Sequence, residues 1–472
     1  LVVLAAEILT SCSEAAAAVA GRSSGFRDGL QTTVNIPTRA AGRPEPEHPP
    51  ADSRTGPTAR PGRQPDRVGS RSGLARPVCR YRAAGTRQAT IRPVARGLYR
   101  RLTVMVLLAS FILVALSPAV PAAPGPLPAE YLTGPGPVAA ATEELSGDGN
   151  VDVAVVNTGN NTLSVLFGNG DGTLGPPQIY LTGSGPAGVR SNYLDGDDYR
   201  DLAVTNRYDD TVLVYLNNGD GTFRLPIPYF AGSGPGGLRA EDVSGDGIVD
   251  LSIANSFDGT VSVLLGNGDG TFQPAVPYLS GPSPASLGVG DFNGDGVGDV
   301  AVSNAGNATV SVFLSNRGIL LGPQVYVTGP GPASVTVGLM NGDDINDVAV
   351  ANSGDATVSV LLGNGDGTFP PPVAYFSGPG ATGVEISDLT ADDADDLVVA
   401  NQGDETVSVL LNNGHGVFGP PKVYPVGPGP SAVKTADLLG DSDDRADVVV
   451  TNSRGSTVSV LLNRGGTCSG PA

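Results

Sequence analysis

Cysteine is scarce in this 472-residue chain: there are three, and only Cys468 lies beyond residue 123. The long C-terminal region therefore cannot be stapled by an intrachain disulfide, and something else must hold it. Histidine is scarcer still, at positions 48 and 415. That leaves no soft His/Cys cluster for zinc, and no Ser/His/Asp or Cys/His constellation can be assembled with any spacing logic. His415 itself sits in the hairpin-like stretch NNGHGVF, where a turn role outweighs a catalytic one. Beyond residue 124 no window of helical length survives between turn residues, which excludes a helical fold.

Glycine and proline are abundant instead, at 67 and 40 residues. Charge divides the chain into two kinds of polypeptide. Through Arg101 there are 17 Arg, no Lys and 7 acids, whereas the remainder carries 11 basic and 40 acidic residues. Residues 1–99 alternate Arg, Pro, Gly, Ser and Ala without a period of two or 3.6, the mark of a segment that cannot bury enough surface to order itself. We read them as a disordered leader or an over-extended reading frame; a basic nucleic-acid-binding tail is the weaker alternative. YRRLTVMVLLASFILVALSPAVPAAPG follows, with Arg100 and Arg101, an apolar run over 102–116 and small residues near Ala122 and Ala123. This pattern predicts a signal peptide over residues 100–123, with a retained anchor or twin-arginine export as alternatives. The acidic region after it disfavours nucleic acid and anionic lipid and favours cations.

That region is a repeat. Tyrosines stand at 131, 180, 229, 278, 326, 375 and 424, at intervals of 48 or 49 residues, a period that calls for a repeat architecture. Each unit shows four short apolar runs broken by Gly, Pro, Asn and Asp, in the third unit near 237–243, 250–254, 260–265 and 272–279. The expectation is an all-β chain: a seven-bladed β-propeller of four-stranded antiparallel blades over residues 125–472. A β-solenoid competes, but its repeats run shorter and lack a closing device. Here one is visible, because GPLPAEYLTG (125–134) matches the approach to each later tyrosine, as in GPPQIYLTG (175–183), while the last unit lacks its own copy. An N-terminal strand is expected to complete the last blade.

Each unit also contains an acidic turn. In DFNGDGVGDVAV the oxygen-bearing side chains Asp291, Asn293, Asp295 and Asp299 occupy positions 1, 3, 5 and 9, with glycine at 6 for the bend. So many acids would repel one another unless a hard cation sat between them, and calcium, taking about 6–8 oxygens at about 2.3–2.6 Å, suits them best. An EF-hand is excluded, since position 12 is Val302 and a strand follows.

Seven such turns, each followed by a D[VL]xVxN-like run and TVSVLLGNGDGTF-like hairpin, resemble FG-GAP repeats of the VCBS type, related to the integrin α-chain propeller. The resemblance implies calcium in the loop between the first and second strands of a blade. Carried across the repeats, it gives Asp242, Ser244, Asp246 and Asp250 in the third and Asp291, Asn293, Asp295 and Asp299 in the fourth. The first offers Glu144, Ser146, Asp148 and Asp152; the sixth offers Asp388, Thr390, Asp392 and Asp396, with Asp393 replacing glycine. The second has Tyr193 at position 1, leaving Asp195, Asp197 and Asp201, and the fifth has Leu339 there, leaving Asn341, Asp343 and Asp347. The seventh inserts two residues, giving Asp437, Asp441, Asp443 and Asp447. Three to five calcium ions are expected. The competing reading is that these acids merely solvate turns, and for the GNGDGT hairpins the turn reading prevails.

Loops opening with Asn157, Asn206, Asn255, Asn304, Asn352, Asn401 and Asn452 should share the opposite face with the TGPGP connections. Asparagine there suits a structural role, and the varied residues after it suit recognition. Three function classes follow: a secreted calcium-binding recognition or adhesion module for an extracellular glycan or protein, which is preferred; a secreted polysaccharide-active lyase or hydrolase, whose chemistry needs only a carboxylate pair; and a purely structural surface protein. The mature chain is expected to be monomeric, without a membrane span or a nucleic-acid partner.

Overall fold

A computed structural model describes residues 128–440 and 445–464 and the short strand Cys468–Ser469. The basic leader, the signal-peptide segment, Asp441 and Asp443 lie outside the described residues. Six consecutive four-stranded antiparallel sheets form blades 1 to 6, and the seventh is assembled from both ends of the repeat region. In blade 3 the strands are Pro235–Glu241, Asp250–Asn255, Thr260–Leu264 and Val276–Leu279. The fourth is shorter than the sequence suggested. Phe272 makes only an isolated bridge to Gly266, and Pro274, which has no N–H to donate, delays the ladder to Val276.

Position in the blade follows residue type. Every residue of the second strands is buried, as in DLSIAN at 250–255, because these strands are covered on both faces by the adjoining blades and can be apolar throughout. Outer strands such as Val276–Leu279 are largely exposed, and they alternate with proline, which suits a sheet edge. The buried side chains form seven separate clusters, one between each pair of neighbouring blades. Each buried Val, Leu or Ile contributes about 1.5–3 kcal/mol, so the ring is held by seven equivalent seams.

The repeat tyrosines cross those seams. Tyr180 meets Phe223 of the next blade edge-on at 5.4 Å, Tyr229 meets Phe272 at 5.6 Å and Tyr375 meets Phe418 at 5.2 Å. The hydroxyl of Tyr180 also donates to Gly221 O in the next blade's hairpin, at 3.2 Å. This explains a tyrosine period that the strand pattern alone did not require.

The clasp forms where it was expected. Ala129–Leu132 pairs antiparallel with Thr457–Asn463, with Tyr131 opposite Val458. The seam it completes packs Ala140, Val153, Val155 and Leu166 of blade 1 against Val449, Val458, Val460 and Leu462 of blade 7. The innermost strands meet as well: Ser431 Oγ donates to Pro137 O at 2.9 Å and Thr142 Oγ1 to Thr435 O at 3.3 Å. Among the described residues no helix is long and apolar enough to cross a membrane.

Candidate functional site

Two sets of loops leave the blades on opposite faces. The acidic corners join first to second strands and lie beside the hairpins between third and fourth strands, so that a Cβ on Gly147 of blade 1 would meet Gly219 O of the blade 2 hairpin at 2.8 Å. The other face carries the buried asparagines and the incoming glycine-proline turns.

At the corner of blade 3, Asp242 wraps its own loop. Oδ1 accepts from Ser244 N (3.0 Å), Ser244 Oγ (3.1 Å) and Gly245 N (2.6 Å), and Oδ2 accepts from Gly247 N (2.8 Å). Asp246 Oδ1 accepts from Ile248 N at 2.9 Å. Blade 4 repeats this arrangement: Asp291 accepts from the N–H groups of Asn293, Gly294, Asp295 and Gly296, and Asp295 from Val297 N. Asn293 Oδ1 accepts from Asp295 N at 2.9 Å. Burial pushes Asp242 and Asp291 up, but the N–H bonds each accepts together outweigh it and hold both below the usual carboxylate range.

Glu144 takes the position-1 role in blade 1, binding the N–H groups of Ser146, Gly147 and Asp148, with Asp148 accepting from Asn150 N. In blade 6, Asp388 binds the N–H groups of Thr390, Ala391, Asp392 and Asp393, and Asp392 accepts from Ala394 N. Ala391 and Asp393 hold φ of 56° and 62° where blades 1, 3 and 4 have glycine, a costly conformation for side chains with a Cβ.

The weaker corners are built differently. In blade 2, Arg200 lies over the Tyr193 ring at 4.7 Å and pairs with Glu143 at 3.1 Å, while Asp195 pairs with Arg224 at 3.6 Å. A guanidinium thus stands beside the position that lost its carboxylate. Asp197 accepts from Tyr199 N. In blade 5, Asn341 Nδ2 donates to Asp343 Oδ2 at 2.8 Å, and Leu339 N donates to Asp395. In blade 7, Asp437 binds Leu439 N and Gly440 N.

Position 9 behaves alike in all seven blades. Asp250 Oδ2 accepts from Val243 N at 3.2 Å and Oδ1 from Gly266 N at 2.8 Å, sixteen residues on. Asp152, Asp201, Asp299, Asp347, Asp396 and Asp447 each bind the corresponding pair of N–H groups. This aspartate ties its corner to the next hairpin. The asparagine whose N–H binds this Oδ1 carries the tie onward to the preceding blade: Asn217 Nδ2 donates to Leu145 O at 2.8 Å, Asn412 Nδ2 to Met340 O at 2.7 Å and Asn463 Nδ2 to Leu389 O at 2.7 Å. Sequence spacing alone did not reveal this second role. Its signal is that the acid persists in blades 2 and 5, where position 1 is lost.

The donor set consists of hard oxygens, which fits calcium in kind. Burial pushes Asp250 and Asp299 up to about 6, and the neighbouring charges of Asp242 and Asp246, or of Asp295 and Asp291, push the same way. In the geometry described, however, these carboxylates engage backbone N–H groups, and no three His, Cys, Asp or Glu side chains converge among the described residues.

On the opposite face, Asn157 is fully buried and its Nδ2 donates to Thr162 Oγ1 at 3.1 Å and Ser164 Oγ at 2.9 Å. The glycine opening each TGPGP-like turn rests directly on this amide; a Cβ on Gly134 would lie 2.8 Å from Asn157 Cγ. Asparagine and glycine therefore form one packing unit, repeated around the ring. His415 is exposed on the hairpin face, its N–H bonded to Asn413 Oδ1.

A family model described as FG-GAP-like repeat matches residues 193–251, 242–302 and 340–399. Each segment runs from one acidic corner through the next and into the second strand that follows it, a full repeat plus the adjoining corner. These stretches carry FG-GAP-like repeats on a seven-bladed β-propeller. No curated relative matches the sequence. Among solved structures, the propeller is similar to a lectin from Agrocybe aegerita described as recognising non-reducing terminal N-acetylglucosamine, at 21% identity over 68% of this chain and 87% of that one, with a TM-score of 0.45. It is also similar to virginiamycin B lyase from Staphylococcus aureus, at 12% identity over 70% and 97% of the two chains, with a TM-score of 0.48. Likenesses at this level carry no argument about function.

Proposed function

We infer that this propeller is a secreted recognition module that binds an extracellular glycan or protein on its asparagine-loop face, with calcium bracing the acidic corners. The observation that carries the reading is a pair of aromatic rings left open on that face. Tyr208 and Phe257 are 68% and 61% exposed, stacked at 6.5 Å with their planes 28° apart. Exposed aromatics held on a rigid frame are costly to leave in water and are typical of binding surfaces.

Binding of the chain to an array of glycans and proteins, with and without calcium, tests the reading. Selective retention that disappears in Tyr208→Ala supports it, and no retention of any class removes it. Calcium is tested separately by calorimetric titration, with three to five ions expected; blades 3 and 4, which keep aspartate at position 1 together with glycine at position 6, are the leading candidates. A count of zero with an unchanged melting temperature overturns the metal reading.

One observation favours a second reading, a polysaccharide-active enzyme. Glu143 and Glu241 both face the central channel, and burial raises both, with Glu241 adding to the rise at Glu143. A raised carboxyl is what general-acid chemistry on a glycosidic bond needs. Turnover of polysaccharide that Glu241→Gln abolishes would establish it.

A further inference from the structure

The seven repeats provide an internal standard, because each position has six counterparts in the same fold. Two residues after the buried asparagine stand Gly159, Gly306, Gly354 and Gly403 in blades 1, 4, 5 and 6. Each glycine packs against the proline carbonyl of the incoming turn, leaving no room for a side chain; a Cβ on Gly159 would come within 2.6 Å of Pro135 O. Blades 2, 3 and 7 depart, with Tyr208 laid over Gly185, Phe257 over Gly234 and Arg454 over Gly429; only in blades 2 and 3 is the replacement aromatic. The residue before Tyr208 is Arg207, where the other blades have Thr158, Ser256, Ala305, Ser353, Gln402 and Ser453.

The fifth residue of the innermost strand departs in the same sector. Around the ring it is Ala141, Arg190, Arg239, Gly288, Thr336, Glu385 and Lys434. The channel half nearer the asparagine loops, about 160 Å³, is thus lined by Arg190, Arg207, Arg239 and Lys434 against the single acid Glu385. Four of the eleven basic residues beyond Arg101 gather there, in a region whose other charge is overwhelmingly negative.

Compensation inside the protein is partial: Glu385 and Glu241 support Arg190 and Arg239 electrostatically from further along the channel, but neither acid reaches Arg207. Lys434 Nζ takes Glu385 Oε2 at 2.7 Å. Arg190 then donates to Val189 O, and Arg239 to Leu238 O and Val335 O, all backbone carbonyls. Arg207 Nε is shielded from solvent and has no hydrogen-bond partner, a state that buried polar atoms rarely tolerate. Burial lowers Arg190 to about 9 and Lys434 to about 8, the charge of Arg239 or Arg190 adding to each. An anion entering the mouth would relieve all of these costs together.

We propose that the channel mouth beside blades 2 and 3 binds the terminal uronate of an acidic glycan, its carboxylate held by Arg207 and the arginines below it and its ring laid against Tyr208. This rests on the recognition reading and narrows it to a carboxylate-bearing sugar. A second cavity of about 380 Å³ at the mouth shares Val138, Ala187 and Arg207 with the channel and adds the Tyr208 ring, so apolar ring face and cations border one space. Sugar C–H faces suit such an aromatic surface. The acidic exterior repels polyanions, which favours one terminal carboxylate over an acidic peptide.

The whole chain should be titrated by NMR with a disaccharide ending in glucuronate, its glucose-ending counterpart and a short aspartate-rich peptide. The uronate is expected to bind at least about tenfold more tightly than either, as the loss of a charge-assisted contact implies. Arg207→Gln and Arg239→Gln should each cost about tenfold and Tyr208→Ala about fivefold, while Arg224→Gln on the hairpin face changes nothing. Thermal melts establish that each variant is folded, and Arg207, at the mouth, is the variant that keeps the test available if Arg239→Gln unfolds. Equal affinity for the neutral sugar, tighter binding of the peptide, no binding of the uronate, or indifference to Arg207→Gln overturns the proposal. If the array nonetheless finds a neutral glycan or a protein ligand, the recognition reading survives; failure of both removes both.

Discussion

On the corner face, the position-9 aspartate accepts the same two backbone N–H groups in every blade, from Asp152 round to Asp447. On the asparagine face, the residue two beyond the buried amide is Gly159 in one blade, Tyr208 in the next, Phe257 in the third and Arg454 in the seventh. The first face repeats because every seam between blades poses the same problem of buried backbone groups and offers the same solution. The second varies only where the chain is free of that problem. In a repeat protein, the residues that agree describe the frame, and those that disagree together in adjacent repeats point to a task the frame does not share.

The comparison breaks if the uniform face tolerates change. Asp250→Ala leaves Val243 N and Gly266 N buried without acceptors, at about 1–3 kcal/mol for each lost bond, so a loss of about 2–6 kcal/mol in denaturant unfolding is expected. Asp201→Ala, in a blade whose position 1 is Tyr193, should cost a similar amount if the tie is structural. A much smaller loss at Asp201 would mean that the acid matters only where calcium binds.

Calcium sharpens the contrast among corners. Saturation to about 100 times the dissociation constant would add about 2.7 kcal/mol for one site, and chelation should remove it as a fall in melting temperature. Asp291→Ala and Asp242→Ala are each expected to lower the calorimetric ion count by one. Asp195→Ala in blade 2, where Arg200 stands beside Tyr193, should leave the count unchanged.

Acidity tests the channel. Lys434 faces Glu385 on blade 6 and Arg190 and Arg239 on blades 2 and 3, with Glu143 and Glu241 further along. Burial and the arginines hold it at about 8, below its ordinary 10.5. Between those values the unfolded chain binds the extra proton, so this group adds stability as pH rises through that window, on the order of 1 kcal/mol after screening. Uronate affinity should move the other way, falling as the ammonium is lost. Lys434→Met should reduce both trends, leaving what Arg190, held at about 9, contributes.

Much of this architecture could be read before any coordinates. A constant tyrosine spacing, turn chemistry at fixed offsets and a stray copy of the outer strand at 125–134 specify seven blades and their clasp, since each signal is local to one unit. The corner acids were equally legible as a set. Their division of labour was not: Asp250 and Gly266 are brought together by a hairpin whose register depends on the neighbouring strand. The channel was the least legible part. Arg190, Arg239 and Lys434 belong to units separated by one or more full periods, and only closure of the ring places them around one passage.

The smallest expected effect is the most discriminating. Tyr208→Ala and Phe257→Ala remove rings that pack on glycines and on each other and are otherwise open to water, so stability should change by no more than about 0.5 kcal/mol, as for surface positions outside any cap, core or network. Their neighbour in the sequence pattern, Asn255, should behave oppositely: Asn255→Ala loses bonds to Thr260 Oγ1 and Ser262 Oγ and costs about 1–3 kcal/mol. Matched melts of Phe257→Ala and Asn255→Ala therefore place frame and task two residues apart on one loop. A large loss of stability at Tyr208 or Phe257 would show that the aromatic pair is itself part of the frame, and would leave the departures in blades 2 and 3 without a ligand to explain them.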